Sequence, residues 1–493
     1  MSGMTYPDSE DLKEKSPTGS IDHGALAIPD IDPAVERRVI RKLDCTVLIM
    51  FTLIFGLNYL DKIGLSYAAI FGMKTDLHLV GQDYSWCSSI FYFGQFLFEY
   101  PAIWLLHKLP IRTFVAVTII IWSIVVGCQA AANDFAGMMA VRFFLGMAEG
   151  AVAPAFVLLV SFFYRKAEQP IRIAVFVSAN AIAQICGALL LYGCGSIKNG
   201  AIEGFRISYL ICAAITLVAG IGFLLLVPSS PATAWFLNAE EREVAVHRVA
   251  SERASGAHSE FVWTQVWATL KDVKFYLVFL WAFFVCITSV ISFGSIVING
   301  FGFTPFKTIL VGLPGPAIQL ATIWIGAGAL WLWPNSRAWT QMALMLVPLV
   351  GVIMMKALPY SHKWALTGGY WLATCNSSVY VVNMSLIASN FKGHTRKTMV
   401  STVYFIGYCV GCICGPQLFL SRESPLYKTA MATIIAMYIL YFLAMLAFRQ
   451  LCARENNRRD RLAADGVEEA KPRLASEEDN RTDIEDLAFR YVL

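Results

Sequence analysis

Charged residues are scarce in this sequence. Of its 493 residues, 15% are Asp, Glu, Lys or Arg, whereas 57% are hydrophobic, and the formal net charge is +4. A water-soluble globular protein carries charge on about a quarter of its residues, so a soluble fold is excluded. The small positive net charge gives no indication of nucleic-acid binding. The composition predicts a membrane protein, in which each spanning helix needs about 20 apolar residues.

Side chains that bind metals or haem are missing from the apolar runs. The seven histidines lie in tails, in loops or at the edges of these runs, so they offer no pair of axial haem ligands. Most of the twelve cysteines lie inside apolar runs, where they behave as small hydrophobic residues. The cluster Cys409, Cys412 and Cys414 has no histidine or carboxylate beside it. We therefore expect no cofactor, no metal site and no disulfide framework.

Twelve apolar runs organise the chain. The first 44 residues are polar and lack the apolar core of a signal peptide, which predicts a cytosolic N-terminal tail over 1–44. Six runs fall within 45–227 and six within 273–449. The polar stretch 228–272 predicts a cytosolic linker with short surface helices, and 450–493 predicts a cytosolic C-terminal tail. The runs lie at 45–65, 85–106, 112–132, 137–163, 171–193, 205–227, 274–297, 309–333, 339–356, 364–389, 397–420 and 427–449.

Basic residues predict the orientation of these runs. More lysine and arginine flank the runs on the side of the N-terminal tail than on the other side. Because positive residues in short loops are retained on the cytosolic side, both termini are predicted to be cytosolic. Two six-helix halves joined by a cytosolic linker are typical of a major facilitator. The predicted fold class is an all-α polytopic membrane protein with twelve transmembrane helices in two six-helix halves.

Five charged residues remain inside the apolar runs, and all of them belong to the first half. They are Asp61 and Lys62 in the first run, Glu99 in the second, and Arg142 and Glu149 in the fourth. A charge at membrane depth costs at least about 2.5–3.5 kcal/mol, so such residues are functional candidates. Arg142 and Glu149 are seven residues apart and project from one helix face, which should line a cavity. A structural ion pair between them would explain the same spacing.

Asp61 and Lys62 are adjacent and point about 100° apart around a helix, so their roles should differ. A cation that faces a cavity attracts an anionic substrate, whereas a carboxylate in a low-dielectric site can load a proton at physiological pH. Together they indicate proton-coupled anion uptake. The alternative is a pair that anchors the helix end at the membrane surface. Glu99 is either another protonatable site or a hydrogen-bonding partner of a neighbouring helix.

Neutral polar residues inside the runs are candidates for orienting a substrate. They are Gln95 in the second run, Asn180 and Gln184 in the fifth, and Asn376 and Asn383 in the tenth. Asn and Gln also hold helices together by hydrogen bonding, which is the alternative role of each of these residues. Tyr59 and Tyr92 are the aromatic residues that we place near a substrate, because they lie close to the charged positions.

Five motifs are specific when taken together. They are Tyr59-Leu-Asp-Lys62, Phe98-Glu-Tyr-Pro101, Arg142-Phe-Phe-Leu-Gly-Met-Ala-Glu149, Trp235-Phe-Leu-Asn-Ala-Glu-Glu-Arg242 and Lys392-Gly-His-Thr-Arg-Lys397. From about Arg41 to Phe448 the sequence resembles the anion:cation symporter family of the major facilitator superfamily, in particular its fungal allantoate permease branch. The resemblance implies that Asp61 and Glu149 handle protons. It also implies that Lys62 and Arg142 bind the negative charge of the substrate and that Gln184 is a polar substrate contact.

The expected function is that of a multi-pass, plasma-membrane proton symporter that imports a small organic anion, such as allantoate, a vitamin or an amino-acid-like carboxylate. The expected partners are this substrate, protons and the lipid bilayer, and the chain is expected to be a monomer. An exporter of a secondary metabolite by proton antiport is the alternative, although the fifth run, with Gly187-Ala-Leu-Leu-Leu, lacks the glycine-rich motif of drug antiporters. An enzyme is not expected, because no nucleophile with a base and no metal ligands are visible.

Overall fold

The computed structural model describes residues 32–165, 168–195, 202–254, 262–288, 293–333, 335–471 and 481–493. Twelve helical segments, α1–α12, follow one another along these residues, with shorter helices at the surface. The first half contains α1 (Pro33–Asp76), α2 (Asp83–Lys108), α3 (Ile111–Ala131), α4 (Phe135–Phe163), α5 (Gln169–Gly195) and α6 (Gly204–Leu226). The second half contains α7 (Val273–Ile287 and Gly294–Gly300), α8 (Pro305–Leu332), α9 (Arg337–Ala357), α10 (Lys363–Ala373 and Ser378–Asn390), α11 (His394–Leu418) and α12 (Lys428–Ala464).

Nine of these helices, counted over the described residues, are long and apolar enough to cross a membrane. The other three are α2, α7 and α10. α2 is less apolar because it contains Gln95 and Glu99, and α10 is interrupted by the 3₁₀ turn Thr374–Ser377. α7 is described in two pieces. Each of the twelve segments overlaps one of the predicted apolar runs, although α1 and α12 extend beyond theirs, and the predicted all-α polytopic fold class is confirmed.

Local sequence signals set the ends of the helices. α1 begins where Asp32 accepts a 2.8 Å hydrogen bond from a backbone N–H of the first turn, and Pro33 occupies the first helical position. The helical geometry of α1 is interrupted at Gly72, whose φ of +100° is a conformation that favours glycine. Asp134 caps α4 through a 2.7 Å hydrogen bond. Because α4 then runs for 29 residues, Glu149 lies halfway along it.

Helices pair in the same pattern in both halves. In the first half α1 packs against α5, α2 against α4 and α3 against α6. The equivalent pairs of the second half are α7 with α11, α8 with α10 and α9 with α12. Glycines permit these close approaches, since a Cβ at Gly146 of α4 would collide with the carbonyl of Phe91 in α2. A Cβ at Gly411 of α11 would lie 2.8 Å from the carbonyl oxygen of Phe283 in α7.

The two halves meet at one end of the bundle. We call the end at which α1 begins and α12 ends the terminal face, and the other end the opposite face. Toward the opposite face, the hydroxyl oxygens of Ser66 in α1 and Ser295 in α7 lie 2.7 Å apart. Phe293 stacks on Phe419 with ring centroids 4.3 Å apart and meets Tyr84 of α2 edge-on at 5.1 Å. These contacts close the opposite face.

The linker between the halves contributes two helices, Ala239–Ala254 and Trp263–Lys271, to the terminal face. Each helix is bound to a different half. Glu241 of the first helix forms a 2.7 Å ion pair with Lys42 of α1. The second helix is joined to the start of α11 by a 3.0 Å hydrogen bond from the backbone N–H of Val262 to a threonine hydroxyl.

Residues 481–493, which we call the C-terminal segment, are docked on the terminal face of the second half. Arg396 at the start of α11 donates from its Nε to Asp483 Oδ1 at 2.6 Å, and both side chains are fully buried. Arg459 of α12 donates to three backbone carbonyls of the same segment. The region predicted as a C-terminal tail from residue 450 therefore differs from a free tail, because it begins within α12 and ends in contact with the bundle.

Candidate functional site

An ion pair lies halfway through the first half, between α1 and α4. Lys62 Nζ is 4.0 Å from Glu149 Oε2, and Asn58 Nδ2 donates to the same oxygen at 2.9 Å. The other carboxylate oxygen of Glu149 is buried and has no hydrogen-bond partner among the described residues. The Lys62 side chain keeps 17% of its surface exposed, whereas that of Glu149 keeps 1%. The exposed surface of this pair therefore belongs mainly to Lys62.

A second ionic group lies behind α1, on the side that faces α3 and α6. Asp61 Oδ2 accepts a 2.8 Å hydrogen bond from Trp122 Nε1 of α3. Arg142 of α4 is near enough to act electrostatically on Asp61, and it is within hydrogen-bonding reach of Tyr209 in α6. Its Nε and Nη2 are buried and have no hydrogen-bond partner in the described part of the chain. Arg142 thus retains two donor nitrogens for a further acceptor.

α2 brings two further candidates near these groups. Glu99 is buried and lies close enough to Lys62 to experience its charge. Lys62 Nζ also lies 5.7 Å from the ring centroid of Phe91. Tyr92 points toward the other half, where it meets Tyr408 of α11 edge-on with ring centroids 6.0 Å apart. Lys62 is therefore enclosed by α2 as well as by α4.

The spacing of Arg142 and Glu149 along α4 suggested that these two residues could pair, but the structure pairs Glu149 with a residue of another helix. Arg142 and Glu149 both belong to α4, yet Glu149 takes its cation from α1, because Lys62 lies within 4.0 Å of it. Asp61 and Lys62 contact different helices, as their angular separation of about 100° requires. The five charges thus form two neighbouring groups on either side of α1.

A cavity that is partly open to solvent lies between the two halves, and its empty space, including the part that is continuous with solvent, amounts to about 520 Å³. Three predicted site residues, Tyr59, Gln184 and Asn376, belong to its wall, whereas Asp61, Gln95, Glu99, Arg142, Glu149, Asn180 and Tyr92 lie outside it. Lys62 is not part of the wall, but Tyr59 three residues before it and Ser66 four residues after it are its neighbours on one face of α1 and line the cavity, which places Lys62 at the edge. The wall consists of Tyr59, Ile63, Ser66, Tyr67, Gln184, Thr288, Gly294, Ser295, Gln319, Tyr370, Ala373, Thr374, Asn376 and Ser377.

Asn383, the remaining predicted site residue, lies elsewhere, in a buried hydrogen-bond network of the second half. Its amide oxygen accepts from Gln341 of α9 and, at 3.3 Å, from the hydroxyl of Tyr441 in α12. Its amide nitrogen donates to the Tyr404 hydroxyl of α11 at 3.5 Å. Asn383 is absent from the cavity wall and joins α9, α10, α11 and α12.

Three residues of the site, Asn58, Trp122 and Gln319, were not predicted from the sequence. Gln184 Nε2 of α5 donates to Gln319 Oε1 of α8 at 3.0 Å, which links the two halves across the cavity. Gln319 lies inside an apolar run, and this is the same signal that selected Gln184, so the sequence could have indicated it. Trp122 offers no such signal, because a tryptophan in an apolar run is normally a packing residue.

Potential metal ligands are scattered over the described part of the chain. Within the described ranges, no three His, Cys, Asp or Glu side chains lie where they could hold a metal ion. The twelve cysteines are free thiols. The groups that could recognise a ligand are the Lys62 ammonium, the Arg142 guanidinium, the nearby carboxylates, and the neutral amides and hydroxyls of the cavity wall.

Comparison with known proteins places the chain in a family. Residues 51–416 match the family described as the Major Facilitator Superfamily. An uncharacterized transporter of Schizosaccharomyces pombe is 34% identical over 468 residues, which cover 94% of this chain and 91% of the relative. The allantoate permease of Saccharomyces cerevisiae is 28% identical over 481 residues, which cover 94% of this chain and 88% of the permease.

A solved structure agrees at the level of the fold. The xylose transporter XylE from E. coli, in a partially occluded inward open conformation, superposes with a TM-score of 0.62 at 13% identity. The match covers 81% of this chain and 96% of that transporter. The family predicted from the motifs is confirmed, and the allantoate permease among the relatives supports the predicted branch. The chain belongs to the major facilitator superfamily and is a membrane transporter.

Proposed function

We propose that this transporter is a proton-coupled importer of a small organic anion. The observation that carries the proposal is the ion pair between Lys62 and Glu149, which lies in the middle of the membrane domain beside the cavity between the halves. A charge at this depth is costly unless it has a function or a partner. The similarity to an allantoate permease supports an anionic substrate.

In the proposed mechanism, the proton and the substrate anion each bind one member of the same ion pair, the proton Glu149 and the anion Lys62. Lys62 is bound to Glu149 while the glutamate is charged, so a substrate carboxylate gains little by approaching it. A proton on Glu149 neutralises that carboxylate and releases Lys62 for the substrate. Because each event favours the other, proton binding and anion binding are coupled, and the coupling is reciprocal. The unpaired oxygen of Glu149 leaves space for the added proton.

The groups around this pair have supporting roles in the proposal. Asp61 is the second proton-handling carboxylate, and Arg142 is the second cation for the negative charge of the substrate. Glu99, buried near Lys62, is a further proton acceptor. Tyr59 and Gln184 contact the substrate from the cavity wall. Tyr92 is close to the substrate path at the interface of α2 and α11.

Transport then proceeds by rocking of the halves about the cavity. The opposite face is closed by contacts between α1, α2 and α7, so substrate in this state exchanges with the terminal face. We place the terminal face in the cytosol, because more basic residues flank the spans there. We also place the protein in the plasma membrane. We expect it to act as a monomer, since both halves of the cavity come from one chain.

The test is uptake by transporter-deficient yeast and by proteoliposomes with an imposed inward proton gradient. A panel of labelled carboxylates that includes allantoate identifies a substrate that the wild-type chain accumulates. Glu149→Gln should remove accumulation against a gradient and retain exchange of labelled for unlabelled substrate, because the glutamine cannot change its charge. Glu240→Gln, an exposed carboxylate in the linker, is the matched control and should accumulate substrate normally.

Unaltered accumulation by the Glu149→Gln variant would refute the coupling role of this residue. The direction of transport is read from the same proteoliposomes. Accumulation with an inward proton gradient supports import, whereas depletion of preloaded substrate under that gradient would support the antiport alternative.

A further inference from the structure

The cavity wall is neutral apart from its edge at Lys62. Its side chains are hydroxyls, amides and apolar groups, and no Lys, Arg, Asp or Glu belongs to the wall among the described residues. A carboxylate held by Lys62 would therefore extend the rest of the substrate into an environment of neutral hydrogen-bonding groups. The chemistry of this wall should determine which anions are accepted.

Two amides in the wall have unused hydrogen-bonding atoms. Gln319 is 1% exposed, and its Oε1 accepts from Gln184, which leaves its Nε2 without a partner in the described structure. Exchange of the oxygen and nitrogen positions of this amide pair would still leave one polar atom of Gln319 unpaired. Asn376 donates to the Val285 carbonyl at 3.0 Å and to Thr288 at 3.2 Å, while its Oδ1 is buried and unpaired.

We propose that Gln319 and Asn376 form a subsite for a neutral group that both donates and accepts hydrogen bonds, such as a carboxamide. Gln319 donates to the carbonyl oxygen of that group, and Asn376 accepts from its N–H. The substrate is then a monocarboxylate with such a group at its far end. This inference rests on the proposed anion transport, in which Lys62 holds the carboxylate.

The cavity wall disfavours two other kinds of anion, those with an apolar end group and those with a second carboxylate. An apolar end group would cover Gln319 and Asn376 without pairing them, and a buried polar group that loses water without gaining a partner is unfavourable. A second carboxylate would be desolvated with no cation in the wall to compensate its charge. Discrimination against an analogue that lacks the hydrogen-bonding group is the strongest form of substrate selection that such a site can provide.

A substrate bound in this subsite would contact residues of both halves. Gln184 belongs to α5 of the first half and Gln319 to α8 of the second, so their hydrogen bond crosses the cavity. A bound carboxamide adds a second hydrogen bond to Gln319 and reaches Asn376 of α10. The neutral end of the substrate therefore contacts the second half, while its carboxylate is bound by the first.

Three compounds of matched size test the proposal: glutaramate, which has a carboxamide; glutarate, which has a second carboxylate; and 5-methylhexanoate, which has an apolar end. Equilibrium binding of each is measured with the purified full-length chain in lipid nanodiscs, by calorimetry and by thermal stabilisation. We expect glutaramate to bind at least about tenfold more tightly than the other two, because they leave the amides unpaired.

Variants separate the subsite from general effects on the fold. Gln319→Leu, and Gln319→Met as a second variant of similar shape, should reduce the preference for glutaramate over 5-methylhexanoate to within about twofold. Gln129→Leu is the matched control, since Gln129 is equally buried but lies outside the cavity wall. It should keep the full preference.

Equal binding of the three compounds by the wild-type chain, no binding of any of them, or an unchanged preference in both Gln319 variants would overturn the inference. These results do not depend on accumulation against a gradient. Failure of the subsite is thereby distinguished from failure of the proton coupling, which the Glu149→Gln uptake experiment tests separately.

Discussion

Replacement of Asp483 by alanine should detach the C-terminal segment from the bundle. Asp483 accepts hydrogen bonds from Arg396 Nε at 2.6 Å, from the Tyr491 hydroxyl at 2.8 Å and from the backbone N–H of Lys392 at 3.1 Å. Without Asp483, the Arg396 guanidinium, which is fully buried, loses one of its two carboxylate partners and keeps only Asp272.

The cost can be estimated from the burial of these groups. Removing one partner of a buried ion pair costs about 3–5 kcal/mol when the remaining charge stays buried. The lost hydrogen bonds from the Tyr491 hydroxyl and the Lys392 backbone N–H, whose acceptor is the charged carboxylate, add about 1.5–3 kcal/mol each. Detachment of residues 481–493 avoids most of this cost, because it returns Arg396 to water. We therefore expect local undocking of the segment, while the twelve-helix bundle stays folded.

Hydrogen–deuterium exchange measured by mass spectrometry on the full-length chain in nanodiscs is the assay. A loss of about 3 kcal/mol lowers protection by more than about a hundredfold, so the amides of residues 481–493 should exchange much faster in the variant. Helices α1–α6 should be unaffected. The control is Asp465→Ala, which removes an exposed carboxylate just beyond α12 and should leave the protection unchanged.

Retained protection of residues 481–493 in the Asp483→Ala variant would refute the argument that its ion pair with Arg396 holds the segment. Global unfolding would contradict it in another way, because it would show that the segment and the bundle form a single cooperative unit.

Three further predictions concern the membrane domain. Lys62→Ala should raise the apparent KM for the transported anion at least about tenfold, because a hydrogen bond to a charged group contributes about 1.5–3 kcal/mol. Initial uptake rates measure this KM, and an unchanged value would remove Lys62 from the site. Gly146→Ala should prevent close packing of α2 and α4, because its Cβ collides with the Phe91 carbonyl, and size-exclusion chromatography should show loss of the monodisperse peak. Cysteines at Ser66 and Ser295 should form a disulfide in the state closed at the opposite face and arrest transport until reduced, while oxidised wild-type chain remains active.

The fold was predictable because it depends on long apolar runs. Runs of about 20 apolar residues have few alternatives to a spanning helix, and a polar gap between two sets of six marks the two halves. Helix ends were less predictable, because a helix can extend into the polar residues that flank an apolar run, and the run itself does not show how far. The helix of α1 begins at Pro33, before the predicted boundary at residue 44, because Asp32 and Pro33 together start it.

The candidate site was only partly predictable, because its pairs form between helices. The sequence placed Arg142 and Glu149 on one face of α4, but which cation approaches Glu149 depends on how α1 packs against α4. Asn58, one helical turn before Lys62, is a neutral polar residue inside an apolar run, but its hydrogen bond to Glu149 depends on how the helices pack. Gln319, like Gln184, is a polar residue inside an apolar run and could have been selected on that ground. Their hydrogen bond could not be predicted, because it depends on how the two halves lie relative to each other.

The two halves have the same helix pairing but different chemistry at the middle of the membrane. The ion pair lies in the first half, and the second half supplies neutral polar groups such as Gln319 and Asn376 to the cavity. Under the proposed mechanism, energy coupling and substrate choice are therefore encoded by different parts of one gene. Substitutions in the second half could change the accepted nutrient while the proton-driven machinery is inherited intact. Such a division allows one ancestral transporter to diversify into permeases for many anions.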